Sequence, residues 1–172
     1  FETTSDTEVI LYAFIHYGPD FVDKLNGIFA FAIWDQTTET LYLYRDRVGI
    51  KPLFYYQKDA YLIFASEPKA IFCHPAATPQ LQLEGLQEIL AIGPARTMGC
   101  GIFSDMHEVL PGHYMSFQHG TVKDNTYWDL ESHPHTDDYA TTVDQVAFLV
   151  RDAVKRQMVS DVPVCTFLSG GI

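Results

Sequence analysis

Ile28-Phe29-Ala30-Phe31-Ala32-Ile33-Trp34 decides how the rest of the chain is read. Aromatic and β-branched residues dominate it, so it reads as a strand. Successive strand side chains point to opposite faces, and here both faces are apolar. Such a strand is expected to be covered on both sides, as in a layered sandwich and not an open sheet.

Downstream, residues 41–45, 53–56 and 61–65 carry the same signature, separated by short polar stretches that imply antiparallel neighbours. Brief helices are expected over 67–72 and 83–91, with a loop over 73–82. Residues 93–112 are rich in Gly and Pro and read as an irregular connection. Residues 113–117 and 122–128 read as a hairpin about His119-Gly120. Upstream, Ser5-Asp6-Thr7-Glu8 has the form of a capping box opening a helix. The residues after it, 9–17, are apolar nearly all round, which predicts a largely buried helix ended by Gly18-Pro19. Asp20 can cap a short second helix closed by Asn26-Gly27.

Residues 129–140 lack apolar periodicity and read as a linker. Beyond it, Thr142-x-x-Gln145 is a second capping-box pattern, and Val143, Val146, Val150, Val154 and Met158 share one helical face. A short strand over 162–168 and then Ser169-Gly170-Gly171 is how a parallel α/β domain begins. The expected organisation is α+β: a first domain over 1–128, a linker over 129–141, and the start of a second domain over 142–172. Phe1 in place of Met, and an end on Leu168-Ser-Gly-Gly-Ile172, are expected of an internal piece of a longer protein.

The 172 residues are 47% hydrophobic and 19% charged, which predicts a globular fold. The net charge of -11 argues against a nucleic-acid surface or an anionic membrane surface, both of which call for clustered Lys and Arg. No apolar run approaches the roughly 20 residues of a membrane span. Three scattered cysteines, Cys73, Cys100 and Cys165, form no disulfide framework and fit a reducing compartment such as the cytoplasm.

Asp6 has two readings on spacing alone: a favourable charge on a helix N-terminus, worth about 0.3–1 kcal/mol, or a carboxylate that receives a ligand's ammonium group. Spacing favours the first. Arg45-Asp46-Arg47-Val48-Gly49-Ile50-Lys51-Pro52-Leu53 places charges between two apolar strands, which invites an ion pair or a site, the pair being favoured. Ser169-Gly170-Gly171 after an apolar strand suits either a tight turn or a phosphate loop whose backbone amides approach an anion. His133-Pro134-His135 has no metal-ligand spacing, and Cys100 has no evident activating base.

Four of these segments, 5–10, 25–35, 45–53 and 65–70, resemble in order and spacing the glutaminase domain of class II glutamine amidotransferases. The stretches 150–156, 160–163 and 167–172 are similar to the entry of the synthetase domain of glutamine-hydrolysing asparagine synthetases. The resemblance implies part of an N-terminal-nucleophile αββα sandwich, followed by the first helix and strand of an ATP-pyrophosphatase domain. It implies that glutamine, aspartate and ATP are substrates of the parent enzyme, with magnesium accompanying ATP and aspartate activated as β-aspartyl-AMP. It matches Asp6 to the aspartate that holds the α-amino group of glutamine, and Leu168, Ser169, Gly170 and Gly171 to the start of the nucleotide site. Arg45, Asp46, Gly49 and Lys51 match a motif read as architectural. Absent from these residues are the family's N-terminal cysteine, the arginine that holds the glutamine carboxylate and the Asn-Gly of the oxyanion hole. The 172-residue chain is therefore expected to be inactive and to carry no bound cofactor. A β-lactam synthetase relative, a sugar-phosphate member (disfavoured by the tail) and a non-catalytic binding module are the alternatives. Open sheet edges leave self-association, such as a homodimer, an expectation.

Overall fold

A computed structural model describes residues 1–59, 61–93, 97–99 and 101–165. The chain divides into two compact units, Phe1–Leu130 and Glu131–Ile172.

In the first unit, α1 (Asp6–Tyr17) leads into a 3-10 helix at Pro19–Lys24. Then come β1 (Ala30–Asp35), β2 (Thr40–Arg45), β3 (Phe54–Lys58) and β4 (Tyr61–Ala65), the single turn α2 (Pro68–Ile71) and α3 (Leu83–Ile92). Three strands close the unit: β5 (Met106–Glu108), β6 (His113–Gln118) and β7 (Thr121–Thr126). The strands form two antiparallel sheets, a four-stranded one in the order β1-β2-β6-β7 and a three-stranded one in the order β4-β3-β5. Adjacent hairpins pair as their short connections require. The β6–β7 turn has His119 at φ 48° and Gly120 at φ 79°, the left-handed pair that matches strand twist in a two-residue hairpin. By contrast, β2 and β3, also close in sequence, belong to different sheets, so residues 46–53 carry the chain from one sheet to the other.

Alternation along the strands divides the apolar residues into three layers. One face of the four-stranded sheet gathers Ile33, Tyr44 and Tyr114 with Phe21 and Val22 of the 3-10 helix, against Ile10, Ala13 and Phe14 of α1. Its opposite face contributes Leu43 and Met115 to a cluster with Leu53, Val109, Tyr55 and Leu62 from around the three-stranded sheet. The far face of that second sheet packs Phe54, Tyr56 and Met106 against Ile71 and Ala77. Ring contacts stiffen the first layer: Tyr44 stacks on Phe31 at 4.9 Å and on Tyr114 at 5.2 Å between centroids.

Several expectations are corrected. β1 is not covered on both faces: Ile33 is buried, but Trp34 is 58% exposed. β1 is an edge strand, and the middle cluster reaches only its first residue, Ala30. α1 has no fully buried residue, and Leu11, Tyr12 and Ile15 face outward. Only the Ile10, Ala13, Phe14 stripe meets the sheet, so an all-round apolar sequence buries one side. The 3-10 helix is not capped by Asp20, whose carboxylate instead accepts a 2.7 Å bond from the Tyr114 hydroxyl, and it closes at Leu25 and not at Asn26-Gly27. Residues 93–112 are not wholly irregular, since β5 pairs with β3 within them.

In the second unit, α4 (Tyr139–Gln157) starts ahead of the expected cap. Asp138 is the N-cap and accepts from the Thr141 amide at 2.8 Å, while the Thr142 hydroxyl donates to the Asp138 carbonyl at 2.7 Å. Val143, Val146, Val150 and Val154 lie along this helix, Met158 is its C-cap, and all five are exposed. Of the strand expected over 162–168, residues 162–165 are irregular and the remainder lies outside the described residues.

The tyrosine-rich layer has a titration consequence. Burial, with Tyr114 and Tyr42 nearby, raises the Tyr44 phenol well above its ordinary range. Burial and the bond to Asp20 raise that of Tyr114, and burial with the Asp46 charge pushes Tyr127 up to about 12. Unfolded phenols begin to ionise near 10.0, whereas these keep their protons, so the folded state binds more protons above that pH. The stability contribution is complete below about pH 10 and falls as pH rises beyond it. Urea midpoints are expected to hold up to about pH 10 and then to fall progressively as the pH rises through about 12, the value reached by Tyr127. Tyr44→Phe should make that drop shallower, and an equal drop in that variant would contradict the assignment.

Candidate functional site

Two features of the first unit carry polar groups in unusual settings: the crossover at 46–53 and the start of α1.

At the crossover, Arg45 ends β2 and Asp46 begins the turn, and both are buried. The Arg45 guanidinium donates to three carbonyls: Nε to Lys51 at 2.9 Å, Nη1 to Val109 at 2.7 Å and Nη2 to Gly49 at 2.9 Å. It also pairs with the Glu108 carboxylate at 2.9 Å, with side chains 7% and 6% exposed. Its own carbonyl accepts from the Tyr127 hydroxyl at 2.7 Å. The Asp46 carboxylate accepts from the Ile50 and Lys51 amides, both at 2.9 Å, and its carbonyl accepts from the Gly49 and Gly112 amides. Gly49 sits at φ +68°, and a Cβ there would lie 2.8 Å from Pro111 Cγ and 3.1 Å from Arg45 Cζ. Lys51 serves through its backbone and its side chain is exposed. The Arg45 and Asp46 charges are thus consumed internally. Glu108, the partner that completes the pair, lies in the short β5 and has no sequence-local signal. The buried Arg45–Asp46–Glu108 cluster braces the crossover.

At the start of α1, Ser5 is the N-cap and its hydroxyl accepts from the Thr7 amide at 3.2 Å. The second half of the expected capping box does not form. Glu8 reaches past Ser5 and accepts from the amides of Glu2 and Thr3, each at 2.7 Å, and from the Thr3 hydroxyl at 2.6 Å. These bonds hold its carboxyl below the usual carboxylate range, the Thr3 hydroxyl first. Asp6 is the first helical residue, is exposed, and has no hydrogen bond or ion pair among the described residues. Helical periodicity places it on the stripe of Ile10, Ala13 and Phe14, which faces the sheet. The result is an uncommitted carboxylate on a helix N-terminus, aligned with the inward face and open to a cationic group.

Leu168, Ser169, Gly170 and Gly171 lie outside the described residues, as does Cys100. Cys73 and Cys165 are exposed, and the Cys73 thiol contacts the Lys69 carbonyl at 3.5 Å. His133 and His135 are used locally, the first beside Glu131 at 3.1 Å and the second on the Thr142 hydroxyl at 2.7 Å.

The family model described as the glutamine amidotransferase domain matches residues 1–128, and that described as asparagine synthase matches residues 145–172. The glutamine-hydrolysing asparagine synthetase 3 of Bacillus subtilis (strain 168) is 49% identical over 172 residues, covering 100% of this chain and 28% of the relative. Asparagine synthetase B (glutamine-hydrolysing) of Escherichia coli (strain K12) is 31% identical over 173 residues, covering 100% of this chain and 26% of the relative. The amidase chyE of Penicillium rubens is 36% identical over 177 residues, again covering 100% of this chain and 26% of the relative. The chain therefore spans between a quarter and a third of the length of these relatives.

The Arg45–Glu108 brace is testable on the chain alone. Glu108→Ala leaves a buried guanidinium without its counter-charge and is expected to cost roughly 3–5 kcal/mol of unfolding free energy. Urea denaturation reads this directly; a loss below about 1 kcal/mol would mean that the three carbonyls suffice.

Proposed function

The chain belongs to the glutamine amidotransferase domain family over residues 1–128, and from that premise we propose that it is part of a glutamine-hydrolysing asparagine synthetase. The observation that carries the proposal is the free Asp6 carboxylate, set at the start of α1 within the matched domain. A glutamine site must hold an α-ammonium group, and a carboxylate without internal partners, assisted by no cation, is the group for it. The order of the two family matches, amidotransferase then asparagine synthase, supports coupling of released ammonia to an aspartate acceptor.

In this reading the first unit is the later part of an N-terminal-nucleophile αββα sandwich. Two antiparallel sheets sharing an apolar cluster, with helical residues against an outer face of each, support that. Residues 142–172 begin the ATP-pyrophosphatase domain. Glutamine is hydrolysed to glutamate and ammonia. ATP and the aspartate side chain give β-aspartyl-AMP and pyrophosphate, and ammonia displaces AMP to yield asparagine. ATP with magnesium is assigned to the stretch holding Leu168, Ser169, Gly170 and Gly171 by the sequence resemblance alone. The nucleophile of glutamine cleavage is assigned to a residue other than Cys73, Cys100 and Cys165. None of the three stands at a chain terminus, where an α-amine can serve as base. The isolated 172-residue chain is accordingly inactive, and the protein is placed in the cytoplasm.

Asp6→Asn, made in the polypeptide extended to the length of its relatives, should remove the charge that holds the ammonium group. The expected loss is about 2–5 kcal/mol of binding, a rise of roughly thirtyfold or more in the KM for glutamine. An unchanged KM would remove Asp6 from the site. Glutamate release by the purified 172-residue chain, measured by a coupled dehydrogenase assay, is expected to be nil, and turnover there would overturn the assignment of the nucleophile.

A further inference from the structure

We infer that Glu8 is a positioning residue for glutamine, acting through the backbone that precedes Asp6. The inference rests on the reading of Asp6 given above. Glu8 and Asp6 occupy one helical turn and have opposite fates. Two residues apart, they point about 200° apart around the helix. Asp6 falls on the stripe that meets the sheet, and Glu8 on the outer side with Leu11, Tyr12 and Ile15.

From that outer position Glu8 folds the preceding segment back on the helix. Its Oε1 accepts from the Glu2 amide at 2.7 Å, and its Oε2 accepts from the Thr3 amide at 2.7 Å and the Thr3 hydroxyl at 2.6 Å. Both oxygens are therefore engaged, in charge-assisted bonds of the strong kind. Thr3 passes the constraint on, because its hydroxyl oxygen accepts from the Ser5 amide at 3.3 Å. Ser5 in turn caps the helix at the Thr7 amide. A continuous chain of hydrogen bonds thus runs from Glu8 through Thr3 and Ser5 to the Thr7 amide, and so fixes the backbone on both sides of Asp6. The edge of the Phe1 ring against Tyr12, at 5.8 Å between centroids, lays the same segment on the same outer face.

An ordinary capping box would return Glu8 to the Ser5 amide and leave residues 2–4 unrestrained. The longer reach fixes the entry angle of the chain and so the direction in which the first helical residue projects. It also keeps the second carboxylate of this turn occupied, so that one free negative charge is offered to the ligand.

The test compares Glu8→Gln, Asp6→Asn and Thr3→Val in the extended polypeptide, following glutamine-dependent kinetics and the thermal midpoint. Glu8→Gln keeps the size of the side chain but brings an NH2 group against the amides it must accept from. The expected result is a KM for glutamine raised about tenfold with kcat changed by less than about twofold, because misplacement weakens binding before chemistry. Thr3→Val removes one of the three bonds to Glu8 and the link to the Ser5 amide but leaves both backbone amides on Glu8, so it should raise KM by a smaller factor, which keeps the proposal open to test if Glu8→Gln does not fold. A lower thermal midpoint with unaltered KM in Glu8→Gln and Thr3→Val, while Asp6→Asn raises KM, would show a purely structural clamp and overturn the inference. An unaltered KM in Asp6→Asn would instead overturn the reading of Asp6 itself, and the positioning role with it.

Discussion

The crossover between the two sheets depends on one buried guanidinium. A polypeptide that leaves one sheet and enters another must turn its backbone against the protein, and the carbonyls and amides that face inward are costly if left unpaired. Arg45 takes the carbonyls of Gly49, Lys51 and Val109, and Asp46 takes the amides of Ile50 and Lys51. Glu108 neutralises the charge that this arrangement buries. Each group would be a liability alone: an unpaired buried arginine, a buried aspartate, or a tight turn with orphaned peptide groups. Together they satisfy one another, and the three layers of apolar side chains are placed on either side of the result.

The parts of the fold legible in the sequence were those set by local chemistry. Hairpins were readable because alternating apolar residues and a His119-Gly120 turn are short-range signals. The end of α1 was readable because Gly18 takes φ +72° and its amide returns to the Phe14 carbonyl. What escaped was set by partners far away in sequence. β5 is Met106-His107-Glu108, which has no β-branched residue, and it is a strand because β3 offers it an edge. The burial of α1 was overestimated because apolarity states what a side chain tolerates, not whether another element covers it. The cap of α4 was misplaced because Asp138 precedes the apolar periodicity, and a carboxylate competed successfully with the Thr142 hydroxyl.

The candidate site shows the same division. Asp6 was visible from its motif, yet its distinction from Glu8 was not, since a capping box assigns the two carboxylates neighbouring tasks. Only the three-dimensional course of residues 1–5 reveals that one is spent on the backbone and the other is free. The Arg45–Asp46 motif was read as architectural, and the structure pairs both side chains internally, but the counter-charge could not be named, because Glu108 is brought to it by strand pairing.

The distance between Arg45 and its distal partners sets an order of events in folding. The bond to the Val109 carbonyl joins residues separated by 64 positions, whereas the β1–β2 and β3–β4 hairpins close over short spans. Closing a loop of that length costs conformational entropy that nearby pairings do not incur. The hairpins therefore have the means to assemble early, while the guanidinium remains hydrated until β5 arrives and the chain beyond it docks. Completion of the crossover is then the step at which separate hairpins become a single cooperative unit. Its interactions should act as a brake on unfolding more than as a guide to the first contacts.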